Sequence, residues 1–178
     1  MNYEDFVKLV NERQATRSFN DKEISEELLN KIVSVGRLTP SACNSQPWKM
    51  YVASEKGVVD KVRKSLQAEN RNMFLDSAKA FIVLSEVIRP LKPDVEKRLG
   101  KSRFVKYDIG ELCAYLTLTA KSLGIDSCII GWIDIEALRD AVGMSENEDC
   151  NVVIALGYSD VPLREKTRLP LDEIVKFN

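Results

Sequence analysis

Ile109, Leu112, Cys113, Leu116, Thr119, Ala120 and Leu123 recur at helical spacing, and Gly124 follows where a left-handed C-cap is required. No other stretch is as long or as apolar, so this segment is expected to be the central helix of the core. Four short runs read as strands: 49–53, 80–84, 126–130 and 152–156. The second and fourth are continuously apolar, as buried strands are. Helical stripes separate them. Tyr3, Phe6, Leu9 and Val10 mark a first helix running to about Arg13. Leu28, Leu29, Ile32 and Val33 mark a second, with Ser25 as N-cap and Gly36 and Pro40 bringing it to a stop. Val58, Val59, Val62 and Leu66 mark a third, and 135–142 a further one capped by Asp134. Residues 89–106 carry Pro90, Pro93 and many charges and read as a surface loop with room for a short helix. The sum is an α/β sandwich with no internal repeat.

A chain of 178 residues, 44% of them hydrophobic, is most simply one domain, 1–178, with a sizeable core. Its 26 basic and 27 acidic residues nearly cancel, so bulk charge gives no reason to expect a nucleic acid or membrane partner. The N-terminus lacks a signal-peptide pattern and no apolar run approaches bilayer length, so a cytoplasmic protein is expected. Cys43, Cys113, Cys128 and Cys150 are widely spaced and read as reduced thiols. With no histidine, neither a Ser-His-Asp triad, a Cys-His dyad nor a zinc site is expected. Chemistry would then come from a cofactor. No G-x-G-x-x-G or P-loop motif occurs, so side chains must hold any phosphate.

Two basic clusters lie at opposite ends of the chain. Arg13 and Arg17 are four apart, and a first helix extended through them would place both guanidinium forks on one face. Lys166 and Arg168 alternate in an extended tail. Taken singly, each is most often a solvated surface pair. Between them, Pro40, Ser41, Ala42, Asn44, Gln46 and Trp48 fill a loop between a helix and a strand. The amides of Asn44, Gln46 and Asn70 offer the mixed donors and acceptors that a heteroaromatic ring edge needs, and they equally suit turns and caps. Trp48 suits a ring stack or the core, and Gly131 either a close ligand approach or a turn.

In their order and spacing, these segments resemble the FMN-dependent nitroreductases over nearly the whole length. The resemblance rests on Arg13-x-Ala15-x-Arg17-x-Phe19, on Pro40-Ser41-x-x-Asn44-x-Gln46-Pro47-Trp48, and on Asn70 ahead of Leu75-Asp76. It also rests on Asp108-Ile109-Gly110, Leu123-Gly124, Leu156-Gly157-Tyr158 and Lys166-x-Arg168. It implies an α+β nitroreductase-like fold: a mostly antiparallel sheet of four to five strands flanked by helices. It further implies a homodimer with FMN at the subunit interface, NADH or NADPH as transient reductant, and a small nitroaromatic, quinone or similar acceptor.

Carried over residue by residue, the cofactor set is Arg13, Gln14, Ala15, Arg17, Pro40, Ser41, Ala42, Asn44, Gln46, Asn70, Ile130, Gly131, Lys166 and Arg168. Arg13, Arg17, Lys166 and Arg168 would bind the phosphate, Asn70 the ring edge, and the backbone at Ile130 and Gly131 would lie near the reactive nitrogen. The 40–44 loop would cover the partner's flavin, and 89–106 would contribute to the acceptor pocket. No catalytic side chain and no metal are expected, because the flavin carries the hydride. A flavin carrier or sensor with little turnover, or another flavin enzyme of this fold such as a reductive dehalogenase, would share these residues. At Ala15 many members carry serine, and Arg71 stands near where a basic residue is often found.

Overall fold

The computed structural model describes residues 2–178 and contains four strands: β1 (Trp48–Ala53), β2 (Ala80–Glu86), β3 (Asp126–Ile130) and β4 (Asp149–Gly157). They form one antiparallel sheet in the order β1-β2-β4-β3. This is an α+β fold, with helices on both faces. β1 and β3 are its two edges.

Seven helices surround the sheet among the described residues: α1 (Tyr3–Glu12), α2 (Glu26–Gly36), α3 (Lys56–Leu66), α4 (Pro93–Leu99), α5 (Val105–Ser122), α6 (Ile135–Val142) and α7 (Leu171–Ile174). Their starts follow from local chemistry. The Asn2 side chain accepts from the Asp5 amide at 2.8 Å while Asp5 accepts from the Asn2 amide at 3.2 Å, a capping box for α1. Ser25 and Asp134 cap α2 and α6 in the same sense. Past α5, Gly124 takes φ +75°, as its position predicts.

The alternation of β2 sorts the core into two halves. Ala80, Ile82 and Leu84 face α2 and α5, where Leu29, Ile32, Leu112 and Leu116 are buried. Phe81 and Val83 face α3 and α6, against Val62, Leu66 and Leu138. Trp48 belongs to the first half and is only 7% exposed, so the ring-stacking role open to it in the sequence gives way to a core role. Helix α5, expected to begin near Ile109, begins at Val105, and α4 occupies the predicted 89–106 loop.

At the lower edge, Glu148 is a buried carboxylate that ties β1, β2 and the turn after α6 together. It accepts from the Ser85 hydroxyl, from Tyr51 at 2.9 Å and from Ser145 at 2.8 Å, and Lys49 lies 3.5 Å away. Burial pushes its pKa up, but the three hydroxyls and the Lys49 ammonium outweigh burial and hold it down to about 2. Its usual value is 4.5, so the stabilisation is complete above that pH and is lost as pH falls towards 2. Denaturant melts taken across this acid window should show the wild type losing stability more steeply than Glu148→Gln, by up to about 1.4 kcal/mol per pH unit. Equal slopes would show that Glu148 is not the acid-sensitive group.

Candidate functional site

The chain leaves α1 in a direction that the sequence did not reveal. The helix stops at Glu12, because Arg13 turns to φ −67°, ψ 118°, and the next residues pair with the free edge of β3. Ala15 bridges Ser127 in parallel, with the Thr16 amide donating to the Ser127 carbonyl at 2.9 Å. The helical face expected to carry Arg13 and Arg17 is therefore not formed. In the extended segment, alternate residues still share a side, which keeps Arg13, Ala15 and Arg17 together.

Two contacts fix the far end of this segment. The Asn20 amide donates to the Tyr158 carbonyl at 2.8 Å. Phe19 lies directly on Gly157, where an added Cβ would come within 2.6 Å of the ring. The glycine that ends β4 is thus required by close packing. Because the chain emerges from β4 at this point, its C-terminal segment runs back along residues 11–15.

That return brings both ends of the sequence to one place. Arg13, Gln14 and Ala15 from one end, and Arg164, Glu165, Lys166, Thr167 and Arg168 from the other, line a cavity of about 380 Å³. Arg17 lies outside this wall; burial raises the Cys128 thiol on β3, and the charges of Arg17, Arg164 and Arg13 oppose that rise. Arg164 was not singled out by the sequence. None of Arg13, Arg17, Arg164, Lys166 and Arg168 forms an ion pair among the described residues. Burial, followed by the charges of Arg13, Arg168 and Lys121, pushes the Lys166 ammonium below its usual range. Lys166 also donates to the Asn11 and Arg13 carbonyls, capping the end of α1. Unneutralised guanidiniums and an ammonium around one cavity are a donor set that could hold a phosphate.

Two loops in strained backbone carry the predicted amides. The six non-glycine residues with positive φ among those described are Cys43, Asn44, Gln46, Glu69, Asn70 and Asn72. Left-handed backbone at such residues costs about 1–3 kcal/mol each and tends to gather at ligand sites. The 67–76 loop is braced from within: Asn72 donates to the Leu66 carbonyl at 2.9 Å and Gln67 to Asp76 at 2.8 Å. The Asn70 side chain has no partner among the described residues. This loop is also tied to the end of β3, because Trp132 donates to the Ala68 carbonyl at 3.2 Å and Arg71 stacks 5.1 Å from the Trp132 ring. The stretch that carries Asn70 is therefore held by Trp132, two residues past the end of β3. A Cβ at Gly131 would meet only the Asn151 carbonyl, at an ordinary 3.7 Å, so nothing inside the chain demands glycine there.

The 40–46 loop sits elsewhere. It precedes β1, on the sheet edge opposite β3, and is fastened to the start of α5 where Asp108 accepts from the Ala42 amide at 3.2 and 3.3 Å. Burial raises the Asp108 carboxyl, an effect that the amide opposes and Glu111 reinforces. Ser41 accepts from the Gln46 amide at 2.9 Å, and Gln46 turns its carboxamide on Asn44. One chain thus brings Arg13, Gln14, Ala15, Lys166 and Arg168 into one cavity wall, with Arg17 on the same strip outside it, and separately ties the loop that carries Asn70 to Trp132, which follows Ile130 and Gly131. It does not bring Pro40, Ser41, Ala42, Asn44 and Gln46 to either group. Beside Asp108, Ile88, Arg103, Val105 and Tyr107 wall a cavity of about 430 Å³ with Glu86 and Asp149.

If the basic cavity takes an anion, inorganic phosphate will raise the thermal midpoint above that in chloride of equal ionic strength. A tenfold excess over Kd gives about 1.4 kcal/mol, or roughly 2–4 °C per kcal/mol for a chain of this size. Arg13→Ala combined with Arg168→Ala should abolish the increment, and a phosphate effect surviving that change would place the anion elsewhere.

Residues 10–158 match the sequence profile of the Nitroreductase family. A relative from Archaeoglobus fulgidus, provisionally named NADH dehydrogenase/NAD(P)H nitroreductase, is 29% identical over 98% of this chain and 94% of its own length. Among solved structures, a nitroreductase from Exiguobacterium sibiricum in complex with FMN superposes with a TM-score of 0.84 at 19% identity, covering 98% of this chain and 97% of that one. A nitroreductase family protein from Clostridium difficile gives 0.79 at 24% identity, over 99% of this chain and 98% of its own. At these identities the two structures speak for the fold.

Proposed function

The chain belongs to the nitroreductase family, and from that premise we propose that it is an FMN-dependent oxidoreductase using NADH or NADPH to reduce a small acceptor, nitroaromatic or quinone in character. The observation that carries this reading is the unneutralised cation cluster gathered from both chain ends beside β3, on the strand that runs to Ile130 and Gly131. A phosphate and a ring joined by a short chain match those two features. The relatives bearing NAD(P)H nitroreductase names and the FMN complex from Exiguobacterium sibiricum support the same choice.

When bound, FMN supplies the hydride chemistry, accepting from the nicotinamide and passing electrons to the acceptor. The work left to the chain is binding and electrostatics. Arg13, Arg17 and Arg168 offer guanidinium forks to the phosphate, and Lys166 keeps its third proton free after its two carbonyl contacts. Asn70, with its carboxamide unpaired, is available to the ring edge. The backbone donor at Gly131, past the end of β3, can favour negative charge on the ring, and Arg71, stacked on Trp132, adds a cation nearby. No side chain has to move a proton, which agrees with a chain without histidine.

The loop at 40–46 enters this scheme through a second copy, forming a homodimer. A face of α1 carrying Tyr3, Phe6, Val7 and Val10, and Tyr107 and Tyr115 on α5, are apolar and exposed in the single chain. Burying them in a twofold interface would carry each Asp108-anchored loop towards the partner's ring site. The cavity walled by Ile88, Arg103 and Tyr107 would then flank the acceptor.

The purified protein is expected to be yellow, and NADH or NADPH added without oxygen should bleach its visible absorbance, which a quinone then restores. Double-reciprocal plots should be parallel. Bound flavin that neither nucleotide bleaches would make the protein a flavin carrier, and a colourless protein that takes up no FMN would overturn the reading.

A further inference from the structure

The segment that brings Lys166 and Arg168 to the cavity is seated almost without burial. From Asp160 to Arg168 every residue except Lys166 is exposed, and no backbone-to-backbone hydrogen bond joins this stretch to residues 11–15 among those described. Three side chains do the work instead. The Gln14 carboxamide acts in both directions, its Nε2 donating to the Pro162 carbonyl at 3.3 Å and its Oε1 accepting from the Arg164 amide at 3.2 Å. Arg164 reaches the same oxygen through Nε at 3.4 Å while its Nη2 donates to the Ala15 carbonyl at 2.6 Å. Lys166 adds its bonds to the Asn11 and Arg13 carbonyls.

These contacts hold like charges together. Docking the segment carries Arg164, Lys166 and Arg168 towards Arg13 and Arg17, and Glu165 is the one acid in the cavity wall. Each cation brought in opposes the next, and an anion between them removes that opposition. Arg164, like Lys166, already has two side-chain donors committed, in its case to residues 14 and 15.

We propose that Gln14 and Arg164 form a clasp that seats the tail, with Arg164 a positioning residue that aims Lys166 and Arg168 at the same anion as Arg13, and that the bound anion in turn holds the clasp shut. By reciprocity, whatever loosens the clasp weakens anion binding, and the anion lowers the equilibrium population of the open tail by the same factor, which slows cutting in proportion where reclosing outpaces cleavage. That the anion is the phosphate of FMN rests on the function proposed above. The clasp itself does not.

Trypsin acting on flavin-free protein at the bonds after Lys166 and Arg168 reads the tail directly. Inorganic phosphate and FMN should both slow these cuts, by about fivefold or more, and riboflavin, which lacks the phosphate, should not. Arg164→Lys keeps the charge and loses the planar fork. It should speed the cuts and weaken FMN about fivefold or more, leaving riboflavin affinity unchanged. Gln14→Ala, which removes no charge, should do the same. Loss of FMN and riboflavin affinity together would mark mere unfolding and sink the positioning role. Arg164→Lys binding FMN as the wild type does, with Arg164→Ala weakened, would show that only charge matters and would also overturn the clasp. Protection by phosphate but not by FMN would leave the clasp standing and remove the flavin reading.

Discussion

The hydrogen bond from the Thr16 amide to the Ser127 carbonyl is what the rest of the site is built on. It turns the residues after α1 into an extended strip along the free edge of β3. Once the strip is there, Phe19 can lie on Gly157 and the Asn20 amide can reach Tyr158, so the end of β4 is pinned beside it. Beyond Tyr158 the chain follows residues 15 to 11 in reverse. Sheet topology and one glycine thereby bring Arg13 and Arg168 into the same cavity wall.

Electrostatics and backbone strain then point in a common direction. Cations that repel one another are gathered without acidic partners, and two loops hold asparagine in left-handed backbone. A protein pays for such features elsewhere, here through the two-sided apolar core and the Glu148 knot at the opposite margin of the sheet. On the function proposed above, both features would become favourable with a phosphate between the cations and a ring against the Asn70 amide. Asp108 makes the corresponding provision for the 40–46 loop, holding it at the start of α5 on the edge away from β3.

Much of this was legible in the amino-acid order. The long helix was readable from its period and from Gly124 at its end, α2 and α6 from their caps Ser25 and Asp134, β2 and β4 from continuous apolar runs, and β1 and β3 only as short candidates. Arg13 and Arg17 could be picked out but not placed, since helical spacing gives no sign that the chain will find a strand edge after Glu12. Trp48, opening a strand, leaned towards the core over a ligand, and its place in the half of the core shared with α2 and α5 decided it. Arg164 escaped notice because its partner, Gln14, lies 150 positions away and an exposed arginine in an aperiodic tail resembles any solvated charge.

The central claim is that a complete site needs the cation cluster of one subunit and the 40–46 loop of its partner. Hybrid dimers test it directly: Arg13→Ala/Arg168→Ala subunits reassembled with subunits in which Ser41, Asn44 and Gln46 are alanine. Each parent dimer should retain little FMN. In the hybrid, one of the two sites joins an intact cluster to an intact loop, so flavin retention should recover to half that of the wild type. If the loop serves its own subunit, every site in the hybrid is damaged, and recovery of no flavin at all would contradict the account.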